Sequence, residues 1–286
     1  MAAQLRALLQ EARTRLLASG IASAELDAER LLRHVLGWDR ARFATEAHAS
    51  VPDAEAARFA GLIDERARRR PLQHLVGTQA FWRHEFRVTP DVLIPRPETE
   101  LIVEHALQRL RGLREPRLAD VGTGSGCIAL SLAAELPAAL VDAMDLSAAA
   151  LAVARENARR LGLESRVQFH EGDLLLPVAG RRFDAVVSNP PYVDPKGRAS
   201  LAPEVRDHEP ALALFPPGDE PLGVYRRLAP QALGALRPGG FLIVEVGMGQ
   251  ADAVAGILGG TGFTLECIAP DLQGIPRTLV ARRPKA

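Results

Sequence analysis

From Arg117 to the C-terminus, short apolar runs suited to strands alternate with longer segments of helical period, and this alternation restricts the fold more than any other feature. "RLADVG", "ALVDAMD", "RVQFHEGD", "FDAVVSN" and "GFLIVEVG" read as strands. "CIALSLAAEL", "SAAALAVARENARRLG", a segment around 221 to 236 and another near 250 to 258 read as helices. A chain of this kind buries both faces of a mostly parallel sheet under its helices. "FTLECIA" and "RTLVARR" end the chain without a helix between them, which predicts an antiparallel hairpin at the sheet edge. The expected architecture is therefore α/β, with seven strands in one domain over residues 96–286.

The N-terminal part has another texture. Residues 1–75 read as helices only, a small bundle. Leu5, Leu8, Leu9 and Leu16 keep helical spacing around Glu11, which favours a packed helix over a targeting segment. Asp53 after Pro52 is expected as an N-cap. The run Arg66 to Arg70 reads as a solvated helix end, where positive charge complements the dipole. Residues 76–95 carry Phe81, Trp82, Phe86 and Val88 and predict a β-hairpin linker. "IPRPETE" then opens a helix, with Pro97 in its first turn and Glu98 and Glu100 near its positive end. The longest stretch without clear periodicity, 193 to 221, reads as a functional or mobile loop.

Charge narrows the partners. Lys and Arg total 35 and so do Asp and Glu, so nothing draws the whole chain toward nucleic acid or an anionic membrane. No apolar run reaches the roughly 18 residues of a membrane span. The cysteines, Cys127 and Cys267, lack metal-ligand spacing and read as buried thiols of a cytoplasmic protein. His74, His84, His105, His170 and His208 are scattered and read as structural. No metal site is expected.

Two motifs carry chemistry. In "ADVGTGSGCIAL", Asp120, Gly122, Gly124 and Gly126 lie between a strand and a helix. Glycines let the backbone turn sharply there and let a ligand lie against it, although a tight turn alone also needs them. Ligands of open α/β sheets bind beyond the carboxyl ends of the strands. The spacing is G-x-G-x-G, not the G-x-G-x-x-G of dinucleotide folds. Asp120 would repel a phosphate but attract an ammonium group. Asp145, ending the next strand, can take both hydroxyls of a ribose unless it serves only as a turn or cap residue. Asp173, after the third strand, can read an adenine amino group. Ribose, adenine and an ammonium end together describe S-adenosyl-L-methionine.

"SNPPYVD" ends a buried strand in Asn189, Pro190, Pro191 and Tyr192. Two prolines stop the strand and stiffen the turn. An amide nitrogen is a poor nucleophile because its lone pair is delocalised. The Asn189 side-chain oxygen and the Pro190 carbonyl can accept its N–H groups and orient it. Tyr192 can lie against its plane. No strong base is needed, because the proton can leave after methyl transfer.

With these motifs the chain resembles the class I S-adenosylmethionine-dependent methyltransferases. More closely it resembles the release factor glutamine methyltransferases, the HemK/PrmC family, through "PLQHLVGTQAFW", "LIPRPETE", "DVGTGSG", "SNPPYVD", "VRDHEPALALF" and "RTLVARR". The resemblance runs nearly end to end and implies a Rossmann-like sheet. It implies N5-methylation of the glutamine in the Gly-Gly-Gln motif of peptide-chain release factors. Gly122, Thr123, Gly124, Ser125, Gly126 and Asp145 are then expected to bind the donor. Asn189 would touch donor and substrate, and Asn189, Pro190, Pro191 and Tyr192 would hold the glutamine. Leu174 follows Asp173 where relatives often carry an aromatic, so it offers the adenine apolar contact without stacking. A monomer docking on the release factor through residues 1–75 is expected. The alternative is a nucleic-acid amino-methyltransferase acting on adenine N6 or cytosine N4, which would extrude its base or act on single strands and would need a basic groove or recognition domain.

Overall fold

The computed structural model describes residues 3–46, 48–218 and 220–285. The chain forms two compact units, one of residues 1–78 with 202–208 and one of residues 79–201 with 209–286.

The first unit begins with β1 (Ala3–Gln4) and α1 (Leu5–Ala18), followed by α2 (Ala24–Leu36) and α3 (Arg40–Thr45). It continues through β2 (Ser50–Val51), α4 (Asp53–Ala67) and α5 (Leu72–Val76). Leu5, Leu16, Leu31, Leu32 and Phe59 are fully buried in its core, as the helical spacing of apolar residues requires. β1 and β2 pair antiparallel, a two-residue ladder too short to show as alternation in sequence. Asp53 is the first helical residue of α4 and not its cap; Pro52 takes the cap position without a side-chain bond.

Arg66 corrects the expectation of a solvated helix end. It is 6% exposed and donates from Nε to Asp27 at 2.7 Å, with Glu204 at 3.0 Å on its other edge. Arg69 donates to the second Glu204 oxygen at 2.7 Å. One buried guanidinium thus pairs two carboxylates from distant parts of the chain.

Apart from Thr78, which belongs to the first unit, the hairpin of β3 (Thr78–Phe81) and β4 (His84–Arg87) opens the second unit. A 3-10 turn over Pro97–Thr99 leads into α6 (Glu100–Leu110). Then come β5 (Arg117–Val121), α7 (Cys127–Glu135), β6 (Leu140–Asp145), α8 (Ala148–Leu161), β7 (Val167–Glu171) and β8 (Phe183–Ser188). The long connection holds two short helices, α9 (Pro203–His208), which belongs to the first unit, and α10 (Ala211–Leu214). α11 (Gly223–Ala235), β9 (Leu236–Glu245), α12 (Ala251–Thr261), β10 (Thr264–Pro270) and β11 (Pro276–Arg282) complete the chain.

The seven strands run in the order β10-β11-β9-β8-β5-β6-β7. β11 pairs antiparallel with β9 and β10, and the other pairings are parallel, as expected. Helices cover both faces, and the apolar residues divide into two clusters, one on each side of the sheet. Cys127 is buried but Cys267 only partly so, against the expectation of two buried thiols. No helix among the described residues is long and apolar enough to cross a membrane.

Arg66→Ala should destabilise the protein by about 3–5 kcal/mol, since it leaves the buried Asp27 carboxylate uncompensated. Urea denaturation followed by circular dichroism measures this. A loss below about 1 kcal/mol would place the pair among ordinary surface ion pairs.

Candidate active site

The strand order brings three loops to one end of the sheet. β5 lies between β6 and β8, so the loops leaving their carboxyl ends converge at a switch in strand order.

The glycine loop after β5 is tied to both neighbours. Gly122 and Thr123 donate their N–H groups to the Met144 carbonyl at 2.9 Å each, and Ser188 donates its hydroxyl to the Val121 carbonyl at 2.8 Å. Gly122, Gly124 and Gly126 have φ of 72°, 55° and 82°, the left-handed region that side chains disfavour. Gly126 also sits against α8: a Cβ there would lie 3.0 Å from Leu130 and 3.2 Å from Ala154. Asn157 on α8 clamps the loop, donating to the Ser125 carbonyl at 2.9 Å and the Arg87 carbonyl at 3.0 Å.

A cleft opens at this end of the sheet. Gly122, Thr123, Gly124 and Ser125 line it, and so do Asp145, Asp173, Leu174, Asn189, Pro190 and Pro191. Asp120, Gly126 and Tyr192 are not among the lining residues; Asp120 and Gly126 are buried and Tyr192 is partly buried. Asp120 is fully buried, accepting from the Thr123 hydroxyl at 2.6 Å and the Ala129 N–H at 3.2 Å. Its other oxygen, Oδ1, has no partner. Burial pushes the Asp120 carboxyl up to about 7, against the pull of those two bonds. An orphaned, negatively polarised oxygen behind the glycine loop fits a cationic or N–H-bearing ligand and opposes a phosphate.

Asp145 offers its two oxygens in parallel. Oδ2 accepts from the Gly124 N–H at 2.8 Å and Oδ1 from the Ser147 N–H at 2.9 Å. Each keeps acceptor capacity, so both can also take a hydroxyl of a vicinal diol. The helix cap is Ser147, whose hydroxyl accepts from Ala150 at 3.1 Å, so Asp145 is not needed as one. Burial holds its carboxyl above the usual range.

Asp173 is already paired with Arg227 of α11, which also lines the cleft. Sequence reasoning missed this arginine. Leu174 follows at φ +50°, a strained conformation for a branched side chain, and is nearly buried against the cleft. Pro210, Leu212, Ala213 and Pro217 of the long connection line the cleft too. Glu209 anchors that segment, accepting from the Ile94 N–H at 3.2 Å and from Arg96 at 2.5 Å.

The Asn189-Pro190-Pro191-Tyr192 corner leaves the end of β8. The Asn189 amide nitrogen donates to the Thr99 hydroxyl at 3.0 Å. Thr99 in turn donates to Oε2 of Glu245 at 2.6 Å, and the Tyr192 hydroxyl donates to Oε1 at 3.1 Å. Gln250 donates to the Tyr192 carbonyl at 2.9 Å. Glu245 is 2% exposed, and burial raises its carboxyl above the usual range. Neither Thr99 nor Glu245 was expected here. The available signal was a lone acid, Glu245, inside the apolar run "FLIVEVG".

No group of three or more His, Cys, Asp or Glu among the described residues could hold a metal ion. The arrangement combines a glycine loop, a carboxylate with spare acceptor capacity on both oxygens and a proline-stiffened corner. Its parts suit group transfer between a nucleoside-bearing donor and a planar nitrogen.

Comparisons with known proteins identify the family. The PrmC N-terminal domain family model matches residues 7–77, and the methyltransferase small domain model matches residues 97–205. A release factor glutamine methyltransferase of Cereibacter sphaeroides is 46% identical, the match covering 97% of this chain and 98% of that protein. One of Moorella thermoacetica is 46% identical, with 98% of each chain covered. Among solved structures, a methyltransferase from Pyrococcus furiosus superposes with a TM-score of 0.53 at 18% identity, covering 70% of this chain and 88% of that one. This likeness extends to the fold, that of the class I methyltransferases. Identity at this level over nearly the whole length places the chain in the family of release factor glutamine methyltransferases.

Proposed function

We propose that this methyltransferase moves a methyl group from S-adenosyl-L-methionine to the N5 nitrogen of the glutamine in the Gly-Gly-Gln motif of peptide-chain release factors. The single observation that supports the reading best is the Asn189-to-Tyr192 corner, held rigidly against the glycine loop. A Cβ on Gly122 would lie 3.9 Å from the Asn189 carbonyl oxygen, so the two motifs adjoin. The names of the curated relatives point to the same substrate.

The donor supplies an electrophilic methyl carbon on a sulfonium sulfur. Residues of this chain would hold it at three points. Asp145 takes the ribose hydroxyls, the Gly122-to-Gly126 loop receives the amino-acid end with Asp120 behind it, and Leu174 gives the base an apolar surface. Asp173 is shared with Arg227, so adenine recognition there would involve the pair.

On the substrate side, the Asn189 side-chain oxygen and the Pro190 carbonyl accept the two N–H groups of the glutamine amide. This orients the nitrogen lone pair and raises its electron density. As the nitrogen–carbon bond forms, the carbon–sulfur bond breaks and its electrons stay on sulfur. One amide proton then passes to water. The corner is preformed, so little reorganisation is needed. The chemistry calls for acceptors and not for a Lewis acid, so we read the transfer as metal-free. The first unit is read as the docking surface for the release factor, and the enzyme as a cytoplasmic monomer. Equal numbers of acidic and basic residues support a protein partner over the rival nucleic-acid substrate.

Labelled donor presented with intact release factor, the free Gly-Gly-Gln peptide, RNA and DNA tests the whole reading. Mass spectrometry should find one added methyl on the glutamine of the intact factor, with little on the peptide. Equal rates on the peptide would refute the docking role. Label appearing only in RNA or DNA would refute the substrate.

Asp145→Ala should weaken donor binding by roughly 1.5–3 kcal/mol through loss of charge-assisted hydrogen bonds. Calorimetry of the folded variant checks this, and unchanged affinity would remove Asp145 from the site.

Asn189→Ala should leave donor affinity largely intact while removing most of kcat, because the lost acceptor acts on the nucleophile. Asn189→Asp keeps an oxygen but adds negative charge beside the sulfonium. Full activity of Asn189→Asp would contradict a neutral, geometrically fixed acceptor.

A further inference from the structure

An asparagine side chain is ambiguous. Its oxygen and nitrogen ends have nearly the same shape, and a rotation of half a turn about the last bond exchanges them. The proposed chemistry tolerates only one orientation. The oxygen must meet the substrate N–H; an NH2 group in its place would oppose it donor to donor. Something must therefore hold the nitrogen end elsewhere.

We propose that Thr99 and Glu245 are positioning residues that lock the Asn189 amide with its nitrogen turned away from the substrate and its oxygen left to accept. The inference rests on the reading of Asn189 given above. Its basis is the direction of the hydrogen bonds. Asn189 Nδ2 can only donate, and its partner at 3.0 Å is the Thr99 oxygen. A hydroxyl has one proton, and that of Thr99 goes to Glu245 Oε2 at 2.6 Å. A carboxylate has only lone pairs to offer, so it draws the Thr99 proton toward itself and leaves the Thr99 oxygen free to accept. The polarity of the chain runs from Asn189 through Thr99 to Glu245 and cannot reverse while the carboxylate is ionised.

The same carboxylate fixes the other end of the corner. Tyr192 donates to Oε1 at 3.1 Å, so one buried group orders both the acceptor and the aromatic face. The backbone carries Glu245 in a defined place, since Tyr225 donates to its carbonyl at 2.8 Å. Thr99 is 2% exposed and sits at the start of α6, so water does not compete for the relay. A carboxylate as buried as that of Glu245 is costly to keep ionised unless it is hydrogen-bonded, and the Thr99 and Tyr192 hydroxyls supply those bonds.

The test compares Thr99→Val, Thr99→Ser and Glu245→Gln in the full-length chain. Thr99→Val keeps the shape and loses the hydroxyl, and should lower kcat roughly 10- to 100-fold by misplacing the nucleophile. Donor affinity should stay within about twofold, since Asp145, the glycine loop and Leu174, which are proposed to hold the donor, are left unchanged. Thr99→Ser restores the hydroxyl and should recover most of the lost turnover. Glu245→Gln can donate toward Thr99, so it should lose kcat as well. A second readout does not depend on activity. The Asn189 side-chain N–H resonances, assigned by their absence in Asn189→Ala, should show slow solvent exchange in the parent and Thr99→Ser and fast exchange in Thr99→Val. Full kcat in Thr99→Val would overturn the proposal. So would Thr99→Ser as impaired as Thr99→Val, a parallel loss of donor affinity, or unchanged exchange in Thr99→Val. If the parent failed to methylate glutamine, the substrate reading would fall, and the exchange data would still decide how the amide is held.

Discussion

The site depends on where β5 sits in the sheet. Flanked in parallel by β6 and β8, it delivers the glycine loop between the acid that ends one neighbour and the proline corner that ends the other. Bonds from Gly122 and Thr123 to Met144, from Gly124 to Asp145, and from Ser188 to Val121 stitch the three strand ends together. On the proposed reading, a donor held by the first pair of loops and an amide held by the third would be neighbours. Proximity of this kind is worth several kcal/mol of barrier when the geometry is held.

The sheet and the places of its loop motifs were largely legible in the sequence, for local reasons. Alternating strand and helix patterns determine the sheet class, and glycines and prolines mark the turns where function sits. Asp120, Asp145 and Asp173 each fall at the end of a strand, so strand boundaries alone place them at the same edge. The stiffness of the corner at Asn189 also follows from a local motif, because two prolines restrain the chain whatever surrounds it.

Partners separated along the chain were not legible. Thr99 and Glu245 are 146 residues apart and meet only because α6 and β9 pack together. Arg227 reaches Asp173 from α11, and Glu204 reaches Arg66 from the long connection. No period in the sequence reports such pairs. Arg68 and Arg70 pair with the adjacent Glu65, but Arg66 and Arg69 looked solvated because their acidic partners lie elsewhere, Asp27 far upstream and Glu204 far downstream. The connection over 193 to 221 looked structureless because its helices are too short to show a period; the segment around Glu209 is anchored by that buried carboxylate, whose partners lie more than 110 residues away.

The central claim is that the cleft seats a methyl donor and a glutamine amide side by side, with the amide held by the corner. A crystal structure with S-adenosylhomocysteine and a release factor bound tests it most directly. The account predicts ribose hydroxyls on Asp145 and the glutamine nitrogen between the Asn189 side-chain oxygen and the Pro190 carbonyl. A glutamine side chain seated away from that corner, or a ribose with no contact to Asp145, would contradict it.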